Sequence, residues 1–179
     1  MKVLLHACCA PCSVECLRVL GEEGLRPGLF WYNPNIHPFT EYRSRRDSLS
    51  ALAKDQGLDL ILEDEYGLRR FLAALGPGAP SGERCLFCYR MRLEKAALLA
   101  AREGYGAFST TLLISPYQNH GLIKQLGEDL AARNGIAFLY RDFRPFFREG
   151  QRRAREQGYY MQKYCGCIFS EEERYLQKQ

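Results

Sequence analysis

Five short apolar runs, at residues 2–6, 28–32, 58–62, 107–113 and 136–140, recur along the chain with a helix-compatible stretch between each and the next. Strands separated by helices pair mainly in parallel, through right-handed crossovers, and gather ligands beyond their carboxyl ends. The expected fold is therefore α/β: a mainly parallel five-stranded sheet with flanking helices, in one domain over residues 1–179. Cys8 and Cys9, Asn33, Ser109 to Thr111 and Asp142 then fall at the strands' carboxyl ends.

Helix signals fill the intervals. Pro11 suits a first helical turn and the helix it opens is expected to end near Gly24. Thr40 reads as the N-cap of a helix carrying Tyr42, Leu49, Leu52 and Ala53 toward the core. A short helix is expected over 66–75, and the Gly-Pro-Gly-Ala-Pro-Ser-Gly stretch at 76–82 is a loop. That loop leads into Cys85-Leu86-Phe87-Cys88 and a helix through Ala101, so the cysteine pair is expected at a helix N-terminus, where free amides favour thiolates. A last helix spans 120–134, with Ile123, Leu126 and Leu130 on one face. The C-terminal stretch is expected to be a helical, cysteine-bearing segment.

The eight cysteines fall in three tight groups, Cys8-Cys9-x-x-Cys12, Cys85-x-x-Cys88 and Cys165-x-Cys167, with Cys16 one helical turn past the first. Close pairs in separated segments bring several thiolates to one inorganic centre, whereas disulfide scaffolds spread cysteines to cross-link loops. One reading is a structural zinc site drawing on Cys8 or Cys9 with Cys12, Cys85 and Cys88. Zn–S bonds of about 2.3 Å place sulfurs only roughly 3.8 Å apart, which neighbouring residues on a continuing strand reach awkwardly. A larger iron-sulfur cluster takes ligands at separated corners. A thioredoxin-like C-x-x-C motif leaves Cys8 and Cys9 unexplained. Cys165-Gly166-Cys167 suits a redox-active dithiol, because one intervening residue makes a small, strained and reducible ring; alternatively these thiols, with Asp142, hold a second iron or other metal ion. Cys16 reads as a small buried hydrophobe, and Cys12 stays open between packing and ligation.

No run approaches the roughly 20 apolar residues that span a bilayer, and the amino-terminal residues lack a long signal core. A cytoplasmic setting without a membrane partner is expected, where reduced thiols survive. The net charge of +4 is modest, but arginines cluster at 43, 45 and 46, and again at 141, 144, 148, 152, 153 and 155. That pattern fits phosphate contacts and equally fits solvated helix faces.

Six blocks then carry a family resemblance: residues 5–13 (Leu-His-Ala-Cys-Cys-Ala-Pro-Cys-Ser), 31–38 (Trp-Tyr-Asn-Pro-Asn-Ile-His-Pro), 83–92 (Glu-Arg-Cys-Leu-Phe-Cys-Tyr-Arg-Met-Arg), 108–119 (Phe-Ser-Thr-Thr-Leu-Leu-Ile-Ser-Pro-Tyr-Gln-Asn), 140–144 (Tyr-Arg-Asp-Phe-Arg) and 160–170 (Tyr-Met-Gln-Lys-Tyr-Cys-Gly-Cys-Ile-Phe-Ser). In that order and spacing they resemble the QueH-type epoxyqueuosine reductases over nearly the whole chain. The resemblance implies the last step of queuosine synthesis, two-electron removal of the epoxide oxygen as water from epoxyqueuosine at a tRNA wobble position, without cobalamin. It implies a [4Fe-4S] cluster held by Cys8, Cys9, Cys85 and Cys88, and a redox-active pair at Cys165 and Cys167. The fold also looks related to the adenine-nucleotide α-hydrolase and PP-loop (HUP-like) proteins. Here residues 8–13 replace their phosphate loop, so ATP use is not expected.

Such a reaction needs an acid for the departing oxygen, and Asp142, Tyr117 and His37 are the candidates in that order. Tyr32, Asn33, His37, Arg43 and Tyr117 are candidate substrate contacts. Trp31, Phe39, Tyr42, Tyr89, Tyr159 and Tyr160 offer further stacking surfaces for a splayed anticodon base, and Arg43, Arg45, Arg46, Arg152, Arg153 and Arg155 would contact phosphates. An electron donor is required that the sequence does not identify. Two other classes compete: a zinc-stabilised RNA-binding module, against which the Cys165–Cys167 pair weighs, and a small iron-sulfur electron carrier, against which the strand-end cleft weighs.

Overall fold

The computed structural model describes residues 1–76 and 78–176; Pro77, part of the expected 76–82 loop, lies outside the described residues. Strands β1 (Val3–His6), β2 (Gly28–Trp31), β3 (Leu60–Leu62), β4 (Ala107–Thr110) and β5 (Ala137–Phe138) form one parallel sheet in the order β3-β2-β1-β4-β5. β1 is central, with Leu4 paired to both Gly28 and Phe108. All four of its residues are buried, as expected of a parallel strand covered on both faces. The chain leaves β1 toward β2 on one side and reaches β4 on the other. The strand order therefore reverses between β1 and β4, and their carboxyl ends open a crevice there.

Seven α-helices are described: α1 (Ala10–Glu22), α2 (Phe39–Asp55), α3 (Leu68–Leu75), α4 (Ser81–Arg102), α5 (His120–Asn134), α6 (Phe147–Glu156) and α7 (Ile168–Leu176). α1 packs on α6, and α4 lies against both β1 and α5. The expected bounds of α5 hold: the Asn119 side chain accepts from the amide of Leu122 at 3.1 Å, and Gly135, at φ +66°, ends the helix in the left-handed region. Within α5, Gly127 is required by packing, since a Cβ there would lie 2.5 Å from the Phe138 ring.

Several expectations are corrected. Thr40 does not cap α2, which begins at Phe39; Pro38 takes the cap position with an extended ψ, and its carbonyl accepts from the amide of Tyr42. α4 begins at Ser81, four residues before Cys85, because Pro80 sets up the first turn and its carbonyl accepts from Arg84. Cys85 and Cys88 thus sit beyond the first turn, and the unpaired amides of the helix start lie behind them. The fourth strand stops at Thr110, whose hydroxyl accepts from the amide of Leu112 and turns residues Thr111–Ile114 into a 3₁₀ helix.

Candidate active site

The crevice beyond β1 is built from sulfur. Cys9, extended at φ −178°, is the N-cap of α1, and its Sγ accepts from the amide of Cys12 at 3.4 Å. This cap folds the chain back so that the Sγ atoms of Cys8, Cys9 and Cys12 all lie within 4.8 Å of one another, with Cys8 and Cys9 at 3.7 Å. The three thiols can hold a metal ion. The objection that adjacent cysteines reach one ion awkwardly is thereby overturned: β1 has ended at His6, and the chain bends at Cys8 before α1 begins. Cys12, left open by the sequence, joins the group, while Cys16 is buried, as packing requires.

Hydrogen bonds from the Cys12 and Cys9 thiols hold Cys8 well below the usual thiol range, and Thr111 adds a third donor at 3.6 Å. Cys9 is pushed up by burial, and Cys12 is raised by the proton it shares with Cys8. Beneath them His6 is pushed down to about 4, first by burial and then by the Arg92 guanidinium. It is a neutral strut between the Thr110 hydroxyl at 3.0 Å and the Tyr32 carbonyl at 3.2 Å.

Cys85 and Cys88 stand outside the tight trio. Arg92, one turn past Cys88 on α4 and 3 % exposed, donates from Nη2 to Cys88 Sγ at 2.9 Å and from Nε to the Cys88 carbonyl. Among the described residues it makes no carboxylate pair. An uncompensated buried cation is costly, so this guanidinium needs thiolate as its counter-charge. Burial, with a smaller push from the neighbouring cysteines, holds Cys88 up at about 12 against the pull of Arg92, so the thiol suits a site where a metal displaces its proton. On that observation the donor set fits a thiolate-ligated metal group.

The Cys165–Cys167 loop is clamped atom by atom. Arg45, fully buried and paired with Glu41 at 2.7 Å, donates to the carbonyls of Tyr164 and Cys165, each at 2.9 Å. The amide of His37 donates to the Gly166 carbonyl at 2.8 Å; His37 Nδ1 accepts from the amide of Ile168, and its Nε2 donates to the Pro34 carbonyl. The Ser170 hydroxyl accepts from Gly166 and donates to the Cys167 carbonyl. Gly166, at φ +150°, passes close under Arg45, where a side chain would be strained.

These elements enclose a cavity of about 450 Å³ lined by Cys8 from the turn before α1, Cys12 from α1, Thr111 and Tyr117 after β4, Gln162 and Cys165. Gln162 donates to Cys12 Sγ at 3.3 Å, and its Oε1 is buried without a protein partner. Tyr117, 84 % exposed, stands at this cavity with its ring edge-on to Phe147. Asp142 does not line it, contrary to expectation: its carboxylate is taken by Arg144 through two side-chain bonds, which hold it down to about 2. His37 does not line it either; burial pushes it down to about 4, and both ring nitrogens are committed. Tyr32 faces a second cleft, its hydroxyl bonded by Arg70, and Asn33 is buried with its amide donating to the Ala7 carbonyl.

Among the arginines, Arg45 is removed from the expected phosphate contacts by its burial. Arg46 pairs with Asp47 and Asp64, Arg152 with Glu149 and Glu156, and Arg153 with Glu15 and Glu149, while Arg43 is exposed. Trp31 and Tyr42 are core residues and offer no free face. Arg92, Gln118 and Gln162 carried no signal of their own; only their place within the matching blocks marked them.

The profile of the family described as "Epoxyqueuosine reductase QueH" matches residues 3–173. Epoxyqueuosine reductase QueH of Dehalococcoides mccartyi is 37 % identical over 174 residues, covering 97 % of this chain and 94 % of that protein. The Thermotoga maritima protein of the same name is 36 % identical over 180 residues, covering 96 % and 91 %. Among solved structures, a predicted subunit of a tRNA methyltransferase from Methanocaldococcus jannaschii aligns over 89 % of both chains at 15 % identity, with a TM-score of 0.48.

Proposed function

Because the chain belongs to the epoxyqueuosine reductase QueH family, we propose that it reduces epoxyqueuosine in the anticodon of tRNA to queuosine, expelling the epoxide oxygen as water. The observation that carries this reading is the convergence of redox-capable sulfur from two ends of the chain, Cys8 and Cys12 with Cys165, on one cavity. A single-stranded anticodon loop can present a splayed base to such a cavity without opening a duplex. No described helix is long and apolar enough to cross a membrane, and we assign the protein to the cytoplasm, where its thiols stay reduced.

In this reading Cys8, Cys9, Cys85 and Cys88 hold a [4Fe-4S] cluster, with Cys12 beside it as a further thiol. When bound, the cluster supplies Lewis acidity or electron relay toward the epoxide. Arg92 balances the thiolate charge from the α4 side, and the Thr111 hydroxyl and Gln162 amide orient sulfur from the rim. Cys165 and Cys167 supply two electrons and two protons as they close to a disulfide; the epoxide takes up two of each and gives an alkene and water. Of the three candidate acids, Asp142 is held ionised and His37 is neutral with its N–H committed to Pro34. The Tyr117 hydroxyl, at the cavity, remains to protonate the leaving oxygen. Tyr32, Asn33 and His37 then act by framing the loops, and Arg43 contacts phosphate. Cys9 caps α1 where a nucleotide phosphate would otherwise sit, so the reading calls for no ATP. Anaerobic incubation of epoxyqueuosine-containing tRNA with the metal-loaded protein and a reductant, followed by mass spectrometry of the nucleosides, tests it. Queuosine is the expected product, and unchanged epoxyqueuosine would overturn the assignment.

A further inference from the structure

The two thiols of the Cys165-Gly166-Cys167 loop are not equivalent in space. Cys165 is exposed and lines the cavity with Cys8 and Cys12; Cys167 is half-buried, absent from that lining, and immediately precedes α7. Cys165 Sγ also has a dedicated donor. The amide of Asn119 donates to the Tyr89 hydroxyl at 3.2 Å, the Tyr89 hydroxyl donates to Gln118 Oε1 at 2.7 Å, and Gln118 Nε2 donates to Cys165 Sγ at 3.3 Å. Because Tyr89 fixes which end of the Gln118 amide is the acceptor, its N–H₂ end must face the sulfur. The backbone of the loop is held by Arg45, His37 and Ser170, which fixes Cys165 at the cavity.

From this geometry we propose that Cys165 is the sulfur that exchanges with the donor and Cys167 its disulfide partner and leaving group, that Gln118 is the positioning residue that aims Cys165, and that the electron donor is a thiol compound entering through the same cavity as the RNA. The proposal rests on the reductase reading for its RNA partner; the order of the two sulfurs does not. A donor thiolate attacks Cys165 in the Cys165–Cys167 disulfide, and Cys167 leaves as a thiolate that takes up a proton. A second donor thiol then attacks the donor sulfur of the mixed disulfide, releasing Cys165 as a thiolate and leaving the donor as a disulfide. Two electrons enter per disulfide opened, matching the two that one epoxide consumes. RNA bound at the cavity covers Cys165, so donor and RNA must alternate, and steady-state kinetics should follow a ping-pong pattern.

The test uses metal-loaded protein, handled anaerobically, with glutathione disulfide as the probe and peptide mass mapping of the C-terminal loop as the readout. In the Cys167→Ser variant the remaining Cys165 should take up glutathione at least about tenfold faster than the remaining Cys167 does in the Cys165→Ser variant, since accessibility governs which sulfur exchanges. Addition of a tRNA transcript should slow reaction at Cys165 by about tenfold or more and leave Cys167 unchanged. Gln118→Leu should slow Cys165 several-fold without moving Cys167 or the metal content, a pattern general loosening would not produce. Should either serine variant fold poorly, substoichiometric alkylation of the reduced wild-type protein gives the same ranking by which sulfur is labelled first. Equal rates at the two sulfurs, or faster reaction at Cys167, would overturn the order. An unprotected Cys165 in saturating tRNA would overturn the shared entrance. Failure of the reductase reading itself would appear separately, as absence of queuosine from wild-type reaction products.

Discussion

The two sulfur-bearing ends of the active site are held by different physics. At the amino-terminal end, Cys8, Cys9 and Cys12 sit at the mouth of the central strand, buried in the core, and their protonation is governed by burial, by one another and by fixed donors. At the carboxyl-terminal end, Cys165 is exposed and its loop contributes little to the core; long-range polar bonds from Arg45, His37 and Ser170 hold it. A metal-binding group needs ligands that cannot wander, and the core provides that. The exchanging dithiol proposed there would need an open sulfur on a fixed backbone, and a buried arginine reaching out from α2 holds that backbone.

The largest effect should separate the two ends outright. Replacing both Cys165 and Cys167 by serine should abolish multiple turnover while leaving the metal content and visible absorbance of the protein intact; undiminished steady-state activity would show that the exposed end is dispensable. Next, Arg45→Ala should destabilise the fold by about 3–5 kcal/mol in urea denaturation, because it strands Glu41 in the interior and frees two carbonyls of the dithiol loop. A loss below about 1 kcal/mol, the range of surface pairs, would mean the loop is held by something else.

Arg92→Leu addresses the buried end. If Cys88 is a ligand as proposed, removing the group that orients and charge-balances it should weaken metal retention about 10–100-fold in competition with a chelator, with Cys165 and Cys167 still reactive toward alkylation. The pH dependence then probes the clamp. His37 has its folded pKa pushed below the ordinary histidine value to about 4, so its contribution to stability is complete above about pH 6.5 and is lost as pH falls from there through 4. Discounted for solvent screening, that contribution is roughly 2 kcal/mol. Denaturation at pH 7 and pH 4.5 should reveal the loss in the wild type and a flatter profile in His37→Asn. The smallest effects belong to the surface. Arg152→Ala should leave the denaturation midpoint and tRNA binding essentially unchanged, since its guanidinium is solvent-exposed and already engaged by Glu149 and Glu156. Arg43→Ala should reduce the salt slope of tRNA affinity by about one.

Much of the scaffold was legible because it depends on local pattern. Five apolar runs with helices between them imply a parallel sheet, and the Asn119 to Gly135 signals bracket α5 at both ends. The errors arose where local rules compete: Thr40 lost the cap of α2 to Pro38, and the start of α4 moved ahead of Cys85 because Pro80 opens a turn earlier. In the site, the cysteine spacing announced metal or redox chemistry, yet the arginines misled. Arg45 and Arg46 read alike in sequence, but one is wholly buried under the dithiol loop and the other pairs with exposed carboxylates. Asp142 follows β5 as expected but spends its charge on Arg144, two residues away.

The sequence by itself determined the parallel sheet, the grouping of the thiols and, through six ordered blocks, the family, because apolar periodicity and residue spacing are properties of the chain alone. Only the tertiary structure decided that Cys12 belongs with Cys8 and Cys9, that Cys165 and not Cys167 faces the cavity, and which arginines are structural. Those outcomes depend on contacts between residues as far apart as Arg45 and Cys165 or Gln162 and Cys12, and burial, which sets the cost of each charge, exists only once the chain has closed around them.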